Sequence, residues 1–248
     1  MTDVISIINQ KGGVGKSTVA QAIGQGISEL YKKKVLLIDM DAQGNLSYAL
    51  GADTDQLNIL NVLKNECTAK DAIQHLETGD IIASSSFLSV TELERPDILK
   101  ASLATIKKSY DYIIIDTPPA LSKITYNALT ASDSVIIPAL PDIFSLQGIN
   151  QLYETINSVK TNTNKALTVR GILLTKYSNR TTLNKSVAEQ LEETATQYGT
   201  KLFKTTIRDA VAVREAQVST ESIYKYAPRA NVTKDFKQLI KEVIENGK

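Results

Sequence analysis

The sequence predicts an α/β fold in which helices cover both faces of a doubly wound, mostly parallel sheet. Short β-branched runs alternate with segments of helical periodicity, which is the rhythm of β-α-β units. The runs are continuously apolar, as is typical of parallel strands buried on both faces. Of the 248 residues 42% are hydrophobic and 22% charged, so we expect one globular domain over residues 1–248.

Six runs are predicted to be strands: VISII (4–8), VLLID (35–39), DIIAS (80–84), YIIID (112–116), SVIIP (134–138) and GILLT (171–175). Apolar residues three or four positions apart indicate four helices between and after them. Their predicted buried faces are Val19, Ile23, Ile27 and Leu30, then Leu152, Ile156 and Val159, then Leu183, Val187 and Leu191, and last Phe236, Leu239, Ile240 and Val243. Residues 205–231 have weak periodicity and are predicted to form loop and short helix.

Composition excludes several classes of protein. One cysteine, Cys67, excludes an intramolecular disulfide and a cysteine-ligated metal cluster within one chain. The one histidine, His75, is predicted to lie on a helix as a surface or half-buried residue. No apolar run approaches the roughly 18 residues that a membrane span needs, and the first residues do not resemble a secretory leader. We therefore expect a cytoplasmic protein.

The stretch NQKGGVGKST, residues 9–18, lies between the first strand and the first helix. Glycines at 12, 13 and 15 let backbone N–H groups close around phosphate oxygens, and the helix start adds unpaired donors. Gln10 stands where the usual pattern G-x-x-x-x-G-K-[ST] has glycine. Lys16 is expected to reach the β- and γ-phosphates, Ser17 to bind Mg²⁺ and Thr18 to contact the α-phosphate. The dinucleotide pattern G-x-G-x-x-G does not fit, because Thr18 occupies its third glycine position.

Acidic residues end two of the predicted strands. Asp116 ends YIIID, while Asp39 ends VLLID and Asp41 follows two residues later. A carboxylate that ends a buried apolar run is costly without a cationic partner, and Mg²⁺ is the expected partner. Because ligands of doubly wound sheets bind at the carboxyl ends of the strands, we expect these residues to meet the glycine loop.

These motifs together resemble the ParA/MinD family of deviant Walker-type ATPases, and most closely its ParA (Soj-like) branch. The resemblance rests on KGGVGKST, DMDAQGN, YIIIDTPP, NALTASDSVIIP, SLQG, LLTKYSNRTTL and TIRDAVAVREA, and so covers nearly the whole chain. It implies a P-loop NTPase fold, the short form of ParA, and ATP and Mg²⁺ as cofactors. Two positions depart from the family pattern: Ala42 stands for the usual proline of DxDPQGN, and TIRD lacks the proline of IPRN.

The resemblance also implies a role for each site residue. Lys11 is similar to the signature lysine that reaches the partner's phosphates across a nucleotide-sandwich dimer, and Asp41 to the carboxylate that positions the attacking water. The implied catalytic residues are Lys11, Lys16 and Asp41. The implied nucleotide contacts are Lys11, Gly12, Gly13, Val14, Gly15, Lys16, Ser17 and Thr18, and the implied metal site is Ser17, Asp39 and Asp116. The adenine pocket is expected between the loop after 171–175 and residues 206–211.

In ParA-type proteins the ATP-bound homodimer binds double-stranded DNA without sequence preference, and a ParB-type centromere-binding partner stimulates slow hydrolysis. The resemblance implies the same here, with association to the nucleoid in the ATP state and no membrane partner. Residues 200–248 contain ten Lys or Arg and six Asp or Glu, a surplus of four positive charges. The candidate DNA contacts in this region are Arg208, Arg214, Arg229, Lys234 and Lys237.

Two alternatives remain open from the sequence. A membrane-associated positioning ATPase like MinD needs a basic amphipathic helix at its end, and FKQLIKEVIENGK is amphipathic but carries Glu242 and Glu245. We expect its apolar face to pack on the domain instead. A metabolic P-loop enzyme is the other alternative: an iron-protein reductase needs cysteine ligands that the chain lacks, whereas a synthetase is not excluded by the motifs alone.

Overall fold

The computed structural model describes residues 2–178 and 181–245. Within them, seven strands form one sheet. The strands are β1 (Asp3–Ile7), β2 (Val35–Asp39), β3 (Ile73–Leu76), β4 (Gly79–Ile82), β5 (Tyr112–Asp116), β6 (Ser134–Ala139) and β7 (Thr168–Leu174). Their order across the sheet is β3-β4-β2-β5-β1-β6-β7. All neighbours pair in parallel except β3 and β4, so the predicted α/β fold with a mostly parallel sheet is confirmed.

Ten α-helices lie within the described residues: α1 (Lys16–Tyr31), α2 (Asn45–Leu50), α3 (Ile59–Leu63), α4 (Ile98–Ala104), α5 (Lys123–Ala131), α6 (Ile143–Asn162), α7 (Thr182–Gln197), α8 (Val211–Val218), α9 (Ile223–Tyr226) and α10 (Asn231–Glu245). The loop and short helix predicted for residues 205–231 correspond to α8 and α9 with their flanking loops. No helix of the described chain combines the length and the apolar character that crossing a bilayer demands.

Both faces of the central strands are buried. Along β5, Ile114 packs in one apolar cluster with residues of α1 and α10, while Ile113 and Ile115 pack in another with residues of α3, α4 and α5. Successive strand residues point to opposite faces, so an uninterrupted run of isoleucine covers both with apolar surface. A third cluster joins β6 and β7 to α6 and α7. The prediction that helices cover both faces is therefore confirmed.

The predicted helix faces are buried with two exceptions. Leu30 and Leu183 are exposed, because each lies near the end of its helix, beyond the part that packs on the sheet. On α10 all four predicted residues are buried in the cluster shared with α1. As expected, the apolar face of this helix packs on the sheet layer and is not free at the surface.

Residues 73–82 contain the main error of the sequence-based prediction. His75 lies on β3, an edge strand antiparallel to β4, and not on a helix. The chain turns between the two strands at residues 77–78, and Gly79 begins β4 with a φ of 130°. Four residues are too few for periodicity to distinguish strand from helix. The glycine between two short runs was the available signal for a hairpin.

Strand order brings the predicted site residues to one edge of the sheet. Asp39 and Asp116 are paired in register at the carboxyl ends of β2 and β5. The glycine loop leaves the carboxyl end of β1, which lies between β5 and β6. The three segments therefore converge where ligands of doubly wound sheets bind.

Candidate functional site

The glycine loop forms an open cradle above the start of α1. Gly13 and Gly15 have φ values of 74° and 90°, which residues with a Cβ rarely adopt. A Cβ built at Gly12, Gly13 or Gly15 would meet no atom within 4 Å, so the space above the backbone is free. The helix begins at Lys16 with no side-chain cap, and this leaves its first N–H groups available to a ligand.

A pocket of about 470 Å³ extends from this cradle. Its size falls in the range of small-molecule sites. One side is formed by the loop and the first turn of α1, from Gly12 to Val19. The other side is formed by Asp41, Gln43, Asn45, Tyr48, Ala49, Pro119, Thr175, Lys176, Ile207, Arg208, Asp209, Ala210, Val213, Arg214, Gln217, Val218 and Phe236.

Lys16 lies among the acidic residues at the base of the pocket. The residue is only 7% exposed. Burial lowers the pKa of its ammonium, and the carboxylates of Asp116 and Asp41 act in the opposite direction. Two carboxylates therefore favour the charged ammonium of Lys16, and a bound polyanion would favour it further.

Asp116 is fully buried, and neither of its carboxylate oxygens has a hydrogen-bond partner among the described residues. Burial, and then repulsion from Asp39, raise the pKa of Asp116 well above its usual range, against the opposing effects of the Ser17 hydroxyl and the Lys16 ammonium. An unpartnered buried carboxylate is costly unless a cation or a donor joins it. The arrangement fits a hard cation such as Mg²⁺, held near Ser17 and Asp116.

Asp39 is also fully buried, but its oxygens are occupied. Its Oδ2 accepts hydrogen bonds of 2.8 Å from both the N–H and the hydroxyl of Ser47, and its Oδ1 accepts one of 3.1 Å from the Asp41 N–H. Burial nevertheless raises the pKa of Asp39 to about 6. Of the two paired carboxylates, Asp116 is thus the one with free lone pairs, and Asp39 is placed to act on a cation indirectly.

Asp41 lines the pocket and is held by the loop that carries it. Its Oδ1 accepts a hydrogen bond of 3.1 Å from the Gln43 N–H, and its carbonyl accepts one of 2.5 Å from the Ser84 hydroxyl. The position suits a residue that orients a water molecule next to a phosphate. In residues 2–178 and 181–245, no three His, Cys, Asp or Glu side chains are grouped to hold a metal. Mg²⁺ does not require such a group, because phosphates and water supply most of its ligands.

Lys11 lies outside the pocket that Lys16 lines. Its Nζ is 2.5 Å from Oδ2 of Asp142, the residue that caps the start of α6, and 5.7 Å from the centre of the Phe144 ring. Its backbone N–H donates to Oδ1 of Asn9, whose amide in turn donates to the Pro138 carbonyl. The side chain is therefore fixed against the loop after β6, away from its own phosphate cradle.

The far end of the pocket is formed by the two segments expected to contact the base. Lys176 donates a hydrogen bond of 2.9 Å from Nζ to the Gly13 carbonyl, and Ile207 pairs with Thr175. Asn179 and Arg180, in the first of these segments, lie outside the described residues. Gln217 of α8 reaches the helix behind the loop, where its Nε2 donates to the Thr18 hydroxyl at 3.3 Å.

The five candidate DNA contacts fall into two groups. Arg208 and Arg214 line the pocket and are paired with acidic residues: Arg208 makes two hydrogen bonds, of 2.7 and 2.9 Å, to Asp235, and Arg214 makes one of 3.2 Å to Asp209. Arg229 and Lys234 are exposed, whereas Lys237 is half-buried; these three line no described pocket. The two groups thus differ in whether they line the nucleotide pocket, although Arg208 is bonded to Asp235 of α10, the neighbour of Lys234 in sequence.

Sequence reasoning missed three polar residues of the site: Asp142, Lys176 and Gln217. Each contacts the glycine loop or α1 from a distant part of the chain, so no local pattern marks it. For Asp142 a partial signal existed, since an aspartate three residues before a serine at a helix start is typical of an N-cap.

Comparison with known proteins agrees with this geometry. Residues 2–169 match the family model described as AAA domain. The chain is 38% identical over 258 aligned positions to the sporulation initiation inhibitor protein Soj of Bacillus subtilis, with all of both chains covered.

Two solved structures are similar over nearly the whole chain. Cobyrinic acid a,c-diamide synthase of Mycobacterium smegmatis, with a bound ATP analogue and magnesium, has a TM-score of 0.86 and 28% identity, covering 100% of this chain and 96% of that one. A plasmid partition protein of Borrelia burgdorferi has a TM-score of 0.79 and 26% identity, covering 99% and 100%. The sheet order, the glycine loop with two lysines and the full-length match to Soj agree with one another: the chain belongs to the AAA-domain family and, within it, to the ParA/Soj-type partition ATPases.

Proposed function

We propose that this protein is an ATP-dependent DNA-partition ATPase. Its ATP-bound form is a sandwich dimer that binds double-stranded DNA without sequence preference, and a ParB-type partner stimulates its slow hydrolysis. Each chain carries half of the catalytic machinery, and residues 1–248 act as one domain. The protein works in the cytoplasm and associates with the nucleoid in its ATP state.

The position of Lys11 is the observation that carries the proposal. Lys16 lines the pocket of its own chain, whereas Lys11 is bound to Asp142 outside that pocket. Hydrolysis needs positive charge close to the transferred phosphoryl group. A lysine that the fold keeps away from its own cradle is available to supply this charge to a second chain.

The residues of the pocket divide the remaining work. Backbone N–H groups of Gly12 to Thr18 hold the phosphates, and Lys16 balances their charge. Ser17 and Asp116 hold Mg²⁺, Asp39 supports Asp116 from the neighbouring strand, and Asp41 orients the attacking water. Bound ATP and Mg²⁺ supply the phosphoryl group and the neutralising divalent charge. Thr175, Lys176 and residues 207–210 enclose the base.

The relatives favour partition over metabolism. The Soj match covers all of this chain at 38% identity, whereas the synthase match has 28%. The packing of α10 favours DNA over a membrane as the surface that the ATP state binds, because its apolar face is buried against α1 and its lysines remain outside.

The variant Lys11→Ala tests the role in the second chain. We expect it to bind ATP with an affinity within about tenfold of the parent, because Lys11 does not line its own pocket. Its ATP-dependent dimer and its hydrolysis should both be lost, because the partner's phosphates no longer receive the second ammonium. Light scattering coupled to size exclusion, with ATP and with ADP, measures the dimer.

Two matched lysine variants serve as controls. Lys16→Ala should lose nucleotide binding itself, and Lys165→Ala, an exposed lysine that lines no described pocket, should behave like the parent. A normal ATP-dependent dimer of Lys11→Ala would refute the role of Lys11 in the partner's site.

A further inference from the structure

A second pocket lies at the opposite edge of the sheet from the glycine loop. It is bordered by the residues that precede β2 and β5 and by the start of β4, and it has a volume of about 440 Å³. This size is sufficient for a small organic ligand and exceeds what a lone ion fills. None of its lining residues belongs to the nucleotide pocket.

The floor of this pocket is apolar and closely packed. Gly24 of α1 lies against Leu37 of β2, where a Cβ on the glycine would come within 2.8 Å of a Leu37 methyl carbon. Val35 and Tyr110 also line the pocket. The polar lining residues come from four separate segments, which carry Gln25 and Ser28, Lys33 and Lys34, Ser109, and His75 with Thr78 and Asp80.

Asp80 is the one carboxylate among the described lining residues, and both of its oxygens are engaged. Its Oδ1 is 2.8 Å from Nδ1 of His75, and its Oδ2 accepts a hydrogen bond of 2.7 Å from the Tyr110 hydroxyl. Because a carboxylate only accepts, His75 donates through Nδ1. Both oxygens of this carboxylate are therefore already hydrogen-bonded to neighbouring side chains.

The two lysines among the described lining residues have no such partner. Lys33 and Lys34 are exposed, and within the described chain neither ammonium has a carboxylate partner. Asp111 accepts a hydrogen bond of 2.9 Å from the Lys34 backbone N–H, but it does not line the pocket. Lys33, Lys34, Ser28 and Ser109 thus line a pocket whose one carboxylate among the described lining residues is already hydrogen-bonded.

We propose that this pocket is a second ligand site, which binds a phosphate-bearing small molecule with its phosphate against Lys33 and Lys34. Lysines recognise phosphate as point charges, and hydroxyl donors on other sides suit its several oxygens. The apolar floor accommodates the body of the ligand. A concave site of this size does not admit a DNA duplex, so it is distinct from the DNA surface proposed above.

His75 provides a local reporter of binding, because it is the only histidine in the chain. In the ¹H–¹³C spectrum of the full chain, its ring Cε1–H signal is unambiguous. We expect titration with inorganic phosphate, at fixed pH and with chloride added to keep ionic strength constant, to shift this signal in a saturable way. The double variant Lys33→Ala/Lys34→Ala should weaken the apparent affinity by about tenfold or more.

Two further variants separate this site from other effects. Lys16→Ala should leave the His75 response unchanged, because it alters only the glycine-loop site, and Lys165→Ala should match the parent. Far-ultraviolet circular dichroism checks that the exposed-lysine variants are folded. A shift that does not saturate, or one that the double variant retains with unchanged affinity, would overturn the proposal.

Discussion

Asp39 and Asp116, which are paired across neighbouring strands, differ in the hydrogen bonds that their carboxylates accept. Asp39 accepts three hydrogen bonds, whereas Asp116 accepts none from the described residues, although both are fully buried. Charged groups without partners are destabilising in a protein interior. The hydrogen bonds of Asp39 therefore stabilise the loop after β2. The buried carboxylate of Asp116 instead destabilises the nucleotide-free chain and remains available to a ligand.

Replacing Asp116 with asparagine should stabilise the nucleotide-free protein. The change removes a buried carboxylate that accepts no hydrogen bond from the described residues, and its repulsion with Asp39, and these gains exceed the lost attraction to Lys16, so we expect the free energy of unfolding to rise by about 1–3 kcal/mol. Magnesium-dependent nucleotide binding should weaken in the same variant. Urea denaturation without nucleotide or magnesium measures the first effect, and nucleotide titration with and without magnesium the second.

Asp39→Asn is the matched control. Here an amide replaces an acceptor of three hydrogen bonds, so a donor of the side chain must face another donor and the protein should lose stability. Equal effects of the two substitutions would contradict the distinction between them.

Residue types near the glycine loop could be predicted because they follow one another in sequence. The pattern placed Lys16 and Ser17 in the pocket, and strand ends placed Asp39, Asp41 and Asp116 together. The contact of Lys11 with Asp142 could not be predicted, since 131 positions separate the two residues. The sequence also could not predict which of the two aspartates lacks hydrogen-bond partners, because the difference depends on Ser47, eight positions after Asp39.

At the scale of elements, the close approach of α10 and α9 to α1 depends on Gly26. A Cβ at this position would lie 2.2 Å from Cδ1 of Ile240 and 2.6 Å from the Tyr224 hydroxyl oxygen. That hydroxyl also donates a hydrogen bond of 2.8 Å to the Ala22 carbonyl. The glycine thus lets the last helix cover the first, and with it the back of the phosphate loop.

Gly26→Ala should destabilise the protein by about 1–3 kcal/mol, because α9 and α10 must shift to admit one methyl group. Gly148→Ala on α6 is the control: a Cβ there meets nothing within 4 Å, so alanine should be neutral or stabilising by up to about 1 kcal/mol. Urea denaturation of both variants measures the difference. If Gly26→Ala were as stable as Gly148→Ala, the packing described for these helices would be wrong.

Long elements could be predicted well and short ones less so. The six predicted strands each overlap an observed strand, since short runs dominated by Ile, Val and Leu are typical of buried strands. The strand that contains His75 was missed because its four residues are half-exposed at an edge, where the apolar signal is weak. Strand order and the antiparallel hairpin depend on contacts across the sheet, which periodicity does not report.

At the scale of the whole molecule, the packing of α10 directs two of its acidic side chains inward and leaves its lysines at the surface. Its Asp235 bonds Arg208, and its Glu242 accepts hydrogen bonds from the N–H groups of Lys204 and Thr205. Asp235 and Glu242 are therefore directed toward the preceding segment, whereas Glu245, the third acidic residue of α10, is exposed at the end of the helix. Lys234, Lys237 and Lys241 follow one another at helical spacing and are exposed or half-buried. The modest positive surplus of the C-terminal region thus becomes a lysine face.

Removing this lysine face should weaken ATP-dependent DNA binding and its salt dependence together. Each phosphate contact contributes about 0.9 to the slope of log K against log salt concentration, so the triple variant Lys234→Ala/Lys237→Ala/Lys241→Ala should lower the slope by roughly two to three. Gel-shift assays across salt concentrations, with ATP and with ADP, measure it.

Exposed lysines outside α10 provide the control, in the triple variant Lys64→Ala/Lys70→Ala/Lys165→Ala, which removes the same charge. It should retain the parent's slope. DNA binding that does not depend on ATP would exclude the proposed cycle, and an unchanged slope in the α10 variant would move the DNA surface elsewhere.

The bond between Lys11 and Asp142 has a thermodynamic consequence for the proposed dimer. The Lys11 ammonium is already paired with Asp142 at 2.5 Å. If it moves to a second chain, the change in free energy is therefore only the difference between the new contact and this one. Asp142 keeps its hydrogen bonds to the N–H and hydroxyl of Ser145, so α6 does not unravel when the lysine leaves. For Lys11, association is thus an exchange of one contact for another, and we expect its net contribution to the free energy of the dimer to be small.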